Sequence, residues 1–196
     1  MAPNTTQPSL HSTLAHSHSH THTTTDYPNI EVVIIDDSTQ PFVADPAHKQ
    51  ALASLRWPVR YRYLSDQRLS IGTKRNLAVE TATGAIVITW DDDDFFAPHR
   101  ISRQVEPIIS GRADLTTMAH GVYLWVQEMK FTNWTLRSHE PASPHFGTMC
   151  FRRALVADGG LEYPHTSFGE DYGFAERALD RGYRHLVMDN SDGSFV

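Results

Sequence analysis

The chain has 196 residues, with 17 basic against 23 acidic side chains, a formal net charge of −6 and one cysteine. The length suits one domain of ordinary size, and the acidic balance without any basic block argues against a nucleic-acid partner. Lone Cys150 excludes an internal disulfide framework or a thiolate zinc site and fits a reducing, cytoplasmic compartment. No run approaches the roughly 20 apolar residues of a membrane-spanning helix, and no signal peptide is recognisable, so a soluble product is expected.

Residues 1–29 are dominated by Ser, Thr, His and Pro and predict a disordered leader, because such a segment buries too little surface to offset its ordering entropy. Within it, HSHSHTH at 16–22 would put four imidazoles on one side of an extended chain, although its composition favours a solvated tail with adventitious metal affinity. From residue 30 strands and helices alternate. IEVVII is an apolar run of strand length, ADPAHKQALASLR carries Pro46 where a helix begins, and VRYRYL alternates as a strand does. IGTKRNLAVETA predicts a helix stopped by Gly84, and AIVITW the next strand.

Beyond the aspartates, Ile101, Val105 and Ile108 recur at helical spacing, with Pro107 expected to end or kink that helix. ADLTTMA and GVYLWVQEMKF predict strands, the second long enough to bend, and 132–145 a loop. HFGTMCFRR, ALVADGG, EDYGFAERALDRG and YRHLVM complete the pattern as strand, short helix, helix and strand. Repeated βα units predict an α/β sandwich on a mostly parallel sheet, with its site at the carboxyl ends of the strands.

Two strands run straight into carboxylates: VVIIDDSTQ at 32–40 and AIVITWDDDDFFAP at 85–98. Four consecutive aspartates repel one another and need a cation, protons or full solvation. Mg²⁺ or Mn²⁺ suits such oxygen donors, because these ions take only one or two protein carboxylates and complete their shell with water and phosphate. A calcium loop fits less well, since the glycine turn and the distant bidentate Glu are missing. Taken singly, the 91–94 run reads more readily as a solvated turn, and DDST reads equally as a helix-capping turn; following a buried-type strand favours a site for the run.

IEVVIIDDST, SIGTKRNLAVETATGAIVITWDDDDFFAPHRI, FGTMCFRRALVADGG and FGEDYGFAERALDRGYR together resemble, in order and approximate spacing, the family 2 glycosyltransferases of the GT-A fold over about residues 28–188. The resemblance implies a Rossmann-like nucleotide-diphospho-sugar transferase sandwich, a Mn²⁺ or Mg²⁺ cofactor, a nucleotide-sugar donor, UDP-linked by preference, and a glycan, lipid or protein acceptor. It matches Asp37 to the aspartate that hydrogen-bonds the base, and Asp91 and Asp93 to an Asp-x-Asp pair facing the nucleotide and the metal respectively. A register shift of one would pass these roles to Asp92, on the nucleotide side, and Asp94. It makes Asp171 the catalytic base of an inverting single displacement and Glu170 its neighbour on the acceptor side. A catalytically silent binder and a nucleotidyltransferase are the competing readings.

Lys74 and Arg75 begin a helix and read equally as phosphate ligands or as surface charge. Trp125, Trp134 and Tyr163 read as packing more readily than as a platform for an acceptor sugar. Members of the resembled family begin with an apolar first strand, and nothing in residues 1–29 looks able to serve as one. The domain is therefore expected to span 30–196 and to lack both that strand and the usual C-terminal segment.

Overall fold

The structure is a computed structural model that describes residues 10–14, 25–65, 68–91, 94–119, 121–125, 128–133 and 143–192. Seven strands form one sheet in the order β3-β2-β1-β4-β8-β5-β9. They are β1 (Leu10–Leu14), β2 (Ile30–Asp36), β3 (Val59–Tyr63), β4 (Ile86–Trp90), β5 (Leu115–Ala119), β8 (Pro144–Arg152) and β9 (His185–Met188). All pairings are parallel except those of β8, which runs against both β4 and β5. The expected α/β sandwich on a mostly parallel sheet is the architecture observed.

β1 corrects the reading of the N-terminal segment. Leu10–Leu14 lies at the centre of the sheet, with Leu10 opposite Ile30 and Ile86, and Leu14 opposite Ile34 and Trp90. Thr25 and Tyr27 are also buried, Tyr27 within the main core. The slot between two parallel strands calls for backbone donors and acceptors, which a Leu-His-Ser-Thr-Leu segment supplies as fully as an apolar run does. The histidines at 16–22 lie outside the described residues.

Side-chain alternation divides the core between the two faces of the sheet. Ile30, Val32 and Ile34 of β2 with Ile86, Ile88 and Trp90 of β4 face α3 (Arg100–Ile109), which contributes Ile101, Val105 and Ile108. On the opposite face Val33 and Ile35 meet Ala78 and Ala82 at α2 (Ile71–Thr81). Val87 there packs with Phe151, with Leu155 of α4 (Ala154–Ala157) and with Phe174 of α5 (Glu170–Asp180). α1 (Pro46–Ala53) starts at Pro46, with the Asp45 side chain accepting the Ala47 amide.

Two elements differ from expectation. α3 continues through Pro107 to Ile109, because a proline in the last turn removes only one ladder bond and its carbonyl still accepts from Arg112 and Ala113. The long strand expected at GVYLWVQEMKF is instead a separate hairpin of β6 (Val122–Trp125) and β7 (Lys130–Asn133), paired from Val122–Asn133 to Trp125–Lys130.

Candidate active site

The first two turns of α2 organise the carboxyl end of the sheet. Ser70 caps the helix by accepting the Thr73 amide at 3.2 Å. Gly72 is held against the segment before α5: its amide donates to the Thr166 carbonyl at 2.9 Å, and a Cβ there would sit 1.8 Å from the Pro164 carbonyl oxygen. Asn76 clamps the same segment, donating to the Tyr163 carbonyl at 2.9 Å and accepting the Tyr163 amide at 2.7 Å. With the helix fixed at both places, a turn of about 100° per residue sends Lys74 and Arg75 in different directions.

Lys74 reaches the end of β2. Its Nζ lies 3.0 Å from Asp37 Oδ1, while Asp37 Oδ2 accepts the Leu69 amide at 3.0 Å. Burial pushes the Asp37 carboxyl up, but the Leu69 amide and the Lys74 ammonium outweigh it and leave the group below the usual carboxylate range. Asp36, one residue earlier, is 1% exposed and does different work. It accepts from the Phe42 amide at 2.7 Å, the Ser38 amide at 3.0 Å, the Ser38 hydroxyl and the Tyr61 hydroxyl. Burial raises its pKa, yet those four donors bring it down to about 2. Sequence reasoning missed this tie, although the alternation of a strand already implies that adjacent carboxylates point to opposite faces.

Arg75 joins the end of β4 to the start of α5. Its Nη2 donates to Asp91 Oδ1 at 3.3 Å, and Nη1 lies 3.1 Å from Glu170 Oε1 in an ion pair without hydrogen-bond alignment. Its guanidinium sits 5.7 Å from the Tyr163 ring centroid. Burial lowers the Arg75 pKa, and Tyr163, Asp91, Glu170 and Asp171 together more than reverse that. Glu170 is buried, whereas Asp171 is half-buried beside it, its Oδ1 accepting the Tyr172 amide at 2.7 Å. Asp37, Asp91 and Glu170 are thus gathered around two adjacent cations of one helix, with Asp171 next to Glu170 in the first turn of α5. Tyr163 is 1% exposed and stacks on Phe174 as packing, while Trp134 lies outside the described residues.

The beginning of β8 comes up beside Asp91. β4 and β8 pair only from Ile86–Arg152 to Ile88–Cys150, after which the Thr89 hydroxyl takes over, donating to the Gly147 carbonyl at 2.6 Å and the Met149 carbonyl at 3.0 Å. A register shift against β5 between Thr116 and Met118 loosens the other side, where Thr148 Oγ1 accepts the Met118 amide at 2.8 Å. His145 and Gly147 are delivered to the site as a result. A Cβ on Gly147 would lie 2.9 Å from both Asp91 Oδ2 and His145 Cε1, so glycine leaves a gap between carboxylate and imidazole.

A hard divalent ion that relies on substrate oxygens needs only one or two protein carboxylates. Asp91 offers carboxylate oxygen beside the Gly147 gap, while Asp92 and Asp93 lie outside the described residues. Among the described residues no cluster of three or more His, Cys, Asp or Glu is placed to cage a metal. Cys150 is buried, and burial pushes its thiol up to about 12, which leaves it inert as a nucleophile. No helix of the described residues is long and apolar enough to cross a membrane.

Comparison with known proteins gives the same answer from fold and from sequence. The mannosyltransferase PcManGT from Pyrobaculum calidifontis, solved with GDP-Man and Mn²⁺, superposes with a TM-score of 0.71 at 18% identity over 95% of this chain and 56% of that one. Residues 1–349 of S. aureus TarS, solved with UDP-GlcNAc, match with a TM-score of 0.64 at 18% identity over 95% of this chain and 57% of that one. The amylovoran biosynthesis glycosyltransferase AmsE of Erwinia amylovora is 26% identical over 127 residues, 60% of this chain. The chain spans about half of that relative, 47% of its length. The two structures show the GT-A fold. Residues 2–161 match the Glycosyl transferase family 2 model, β1 included, and the chain belongs to that family.

Proposed function

We propose that this chain is a metal-dependent glycosyltransferase that moves a sugar from a nucleoside-diphosphate donor, UDP-linked by preference, to an acceptor hydroxyl with inversion. The observation that carries the reading is the convergence of acids from β2, β4 and α5 on Lys74 and Arg75. The solved relatives support the donor class, one holding UDP-GlcNAc and the other GDP-Man. In this assignment Asp37 accepts from the base, Asp91 and Asp92 face the nucleotide, and Asp93 holds Mn²⁺ or Mg²⁺. Such an ion, when bound, neutralises charge on the diphosphate as a Lewis acid.

The acceptor oxygen forms a bond to the anomeric carbon as the bond from that carbon to the diphosphate breaks. The electron pair leaves with the diphosphate, and the acceptor proton passes to Asp171. Glu170, on the acceptor side of the site, holds Arg75 and through it Asp91. The acceptor is a glycan, a lipid or a protein, and the protein works in the cytoplasm, in keeping with its single buried thiol.

Calorimetric titration with UDP and with GDP, each with and without Mn²⁺, tests the donor assignment. Binding that requires Mn²⁺ is expected, and an absence of heat under every condition overturns the reading. Slow hydrolysis of the donor sugar tests the base: Asp171→Asn is expected to lower turnover by about 10²- to 10⁴-fold while leaving nucleotide affinity within about twofold. Binding that persists without any turnover in the unsubstituted protein would identify a silent binder instead.

A further inference from the structure

Two exposed rings flank the acid pair at the start of α5. Phe168 lies two residues before Glu170 and is 94% exposed, and Tyr172 follows Asp171 directly and is 56% exposed. The backbone that carries them is tied down. Besides the Gly72 amide on the Thr166 carbonyl, α2 holds the preceding segment through Thr73 Oγ1, 2.9 Å from His165 Nδ1, and through the Ile71 amide, which donates to Ser167 Oγ at 3.3 Å. From the α5 side, a Cβ on Gly173 would lie 2.7 Å from Pro164 Cγ. The Tyr172 amide donates to Asp171 Oδ1 at 2.7 Å, so ring and carboxylate share one turn of helix.

Tyr172 is also braced from the sheet. The Phe146 ring centroid lies 5.6 Å from that of Tyr172 with the planes at 82°, a T-shaped contact, and Phe146 packs half-buried against the core of Val87, Phe151 and Phe174. Gly147, the next residue of β8, borders Asp91. The ring pair thus joins β8 next to the Gly147 gap with α5 next to Asp171, at the edge of the ion pairs that run from Asp91 through Arg75 to Glu170.

Stability gives little reason for an aromatic here. A ring more than half in water buries little surface, and a charged or small polar residue suits the solvent side of an amphipathic helix as well. A fixed aromatic face beside a carboxylate is instead the complement of a sugar ring, whose faces present C–H bonds and whose edge presents hydroxyls: the faces stack and the hydroxyls donate to the acid. A lipid chain needs a continuous apolar channel, and the charges of Glu170, Asp171 and Arg75 interrupt the apolar surface at this point.

We propose that the acceptor is a glycan and that Tyr172, braced by Phe146, is the platform on which its acceptor sugar ring stacks, with the attacking hydroxyl directed at Asp171. The inference rests on the glycosyltransferase reading and narrows its acceptor to one class.

Saturation-transfer NMR on the full chain with UDP and Mg²⁺ tests it, using methyl glycosides of glucose, galactose, mannose and N-acetylglucosamine as probes beside dodecyl phosphate and a Ser/Thr peptide. A glycoside is expected to receive saturation mainly on the C–H bonds of one ring face. Tyr172→Ala should weaken its affinity about tenfold and Tyr172→Phe keep it within about threefold, while the UDP affinity of both variants, read by calorimetry, stays within about twofold of the unsubstituted protein. A merely structural role would weaken UDP in parallel, and that result overturns the proposal. Equal losses in the two variants, saturation of the lipid or the peptide in place of every glycoside, or no saturated probe while UDP binds overturn it too. If the unsubstituted chain binds neither UDP nor GDP, the glycosyltransferase reading has failed, and the glycosides without nucleotide still report whether Tyr172 holds a sugar.

Discussion

At the end of β2 the paired acids are held mainly by donors of their own neighbourhood: two amides and two hydroxyls around Asp36, one amide and Lys74 on Asp37. At the end of β4, Asp91 leans on Arg75, a cation supplied by α2 and shared with Glu170 of α5. In the first, the arrangement around Asp36 is dipolar and involves neither α2 nor α5, while Asp37 adds one ion pair from α2. The second is ionic and ties three elements together, so a change in any one reaches the others. Under the proposed assignment the first end would hold a nucleobase, which needs a fixed partner, and the second a departing diphosphate, which needs responsive charge.

Substitutions can break this contrast. Arg75→Met should be the most damaging, costing about 3 kcal/mol, because it leaves the buried Glu170 carboxylate without its cation. Thermal unfolding at neutral pH would show it, and a loss smaller than that of Asp36→Asn would reverse the ranking argued here. Asp36→Asn should cost about 1–2 kcal/mol, from hydrogen bonds that depend on the charged form. The sign with pH follows from its lowered pKa, about 2 against an ordinary 3.8. Its contribution is complete above about pH 4 and disappears as pH falls through about 2, so the substituted protein should show a shallower loss of stability across that window. Denaturant midpoints measured at intervals from pH 5 to 2 would resolve the slopes.

Two smaller effects sharpen the comparison. Tyr61→Phe removes one donor from Asp36 and should cost about 1 kcal/mol, read as a shift in urea midpoint with unchanged slope. Lys74→Met should change stability by no more than about 0.5 kcal/mol, because Lys74 is partly exposed and Asp37 keeps its Leu69 amide. Its effect should appear in nucleotide affinity instead, and a stability loss of several kcal/mol would show that the β2 end is no more self-sufficient than the β4 end.

Most of the architecture could be read from the chain because buried parallel strands announce themselves as apolar runs, as IEVVII and AIVITW do. β1 could not, since Leu-His-Ser-Thr-Leu has two apolar residues and its place is fixed by the backbone needs of β2 and β4. The hairpin at 122–133 was hidden for a related reason: its turn lacks the glycine or asparagine signal that would have divided the run. At the site, acids after strands were legible as a pattern, but their partners were not. The GTKRN segment read equally as phosphate ligands or surface charge, and nothing in one dimension says that Gly72 touches Pro164 or that Arg75 spans two carboxylates.

β8 runs opposite to its neighbours, and a reversed strand brings its first residues, rather than its last, to the rim where theirs finish. Pro144 lies opposite Ala119 at that rim, while Arg152 lies opposite Ile86 at the far end. Insertions or deletions just upstream of Pro144 would therefore be felt at Asp91 through His145 and Gly147, and equal changes just downstream of Arg152 would be felt only on the remote side of the sheet. If the proposed site is the recognising one, one end of the molecule is open to variation in specificity and the other can vary without touching it.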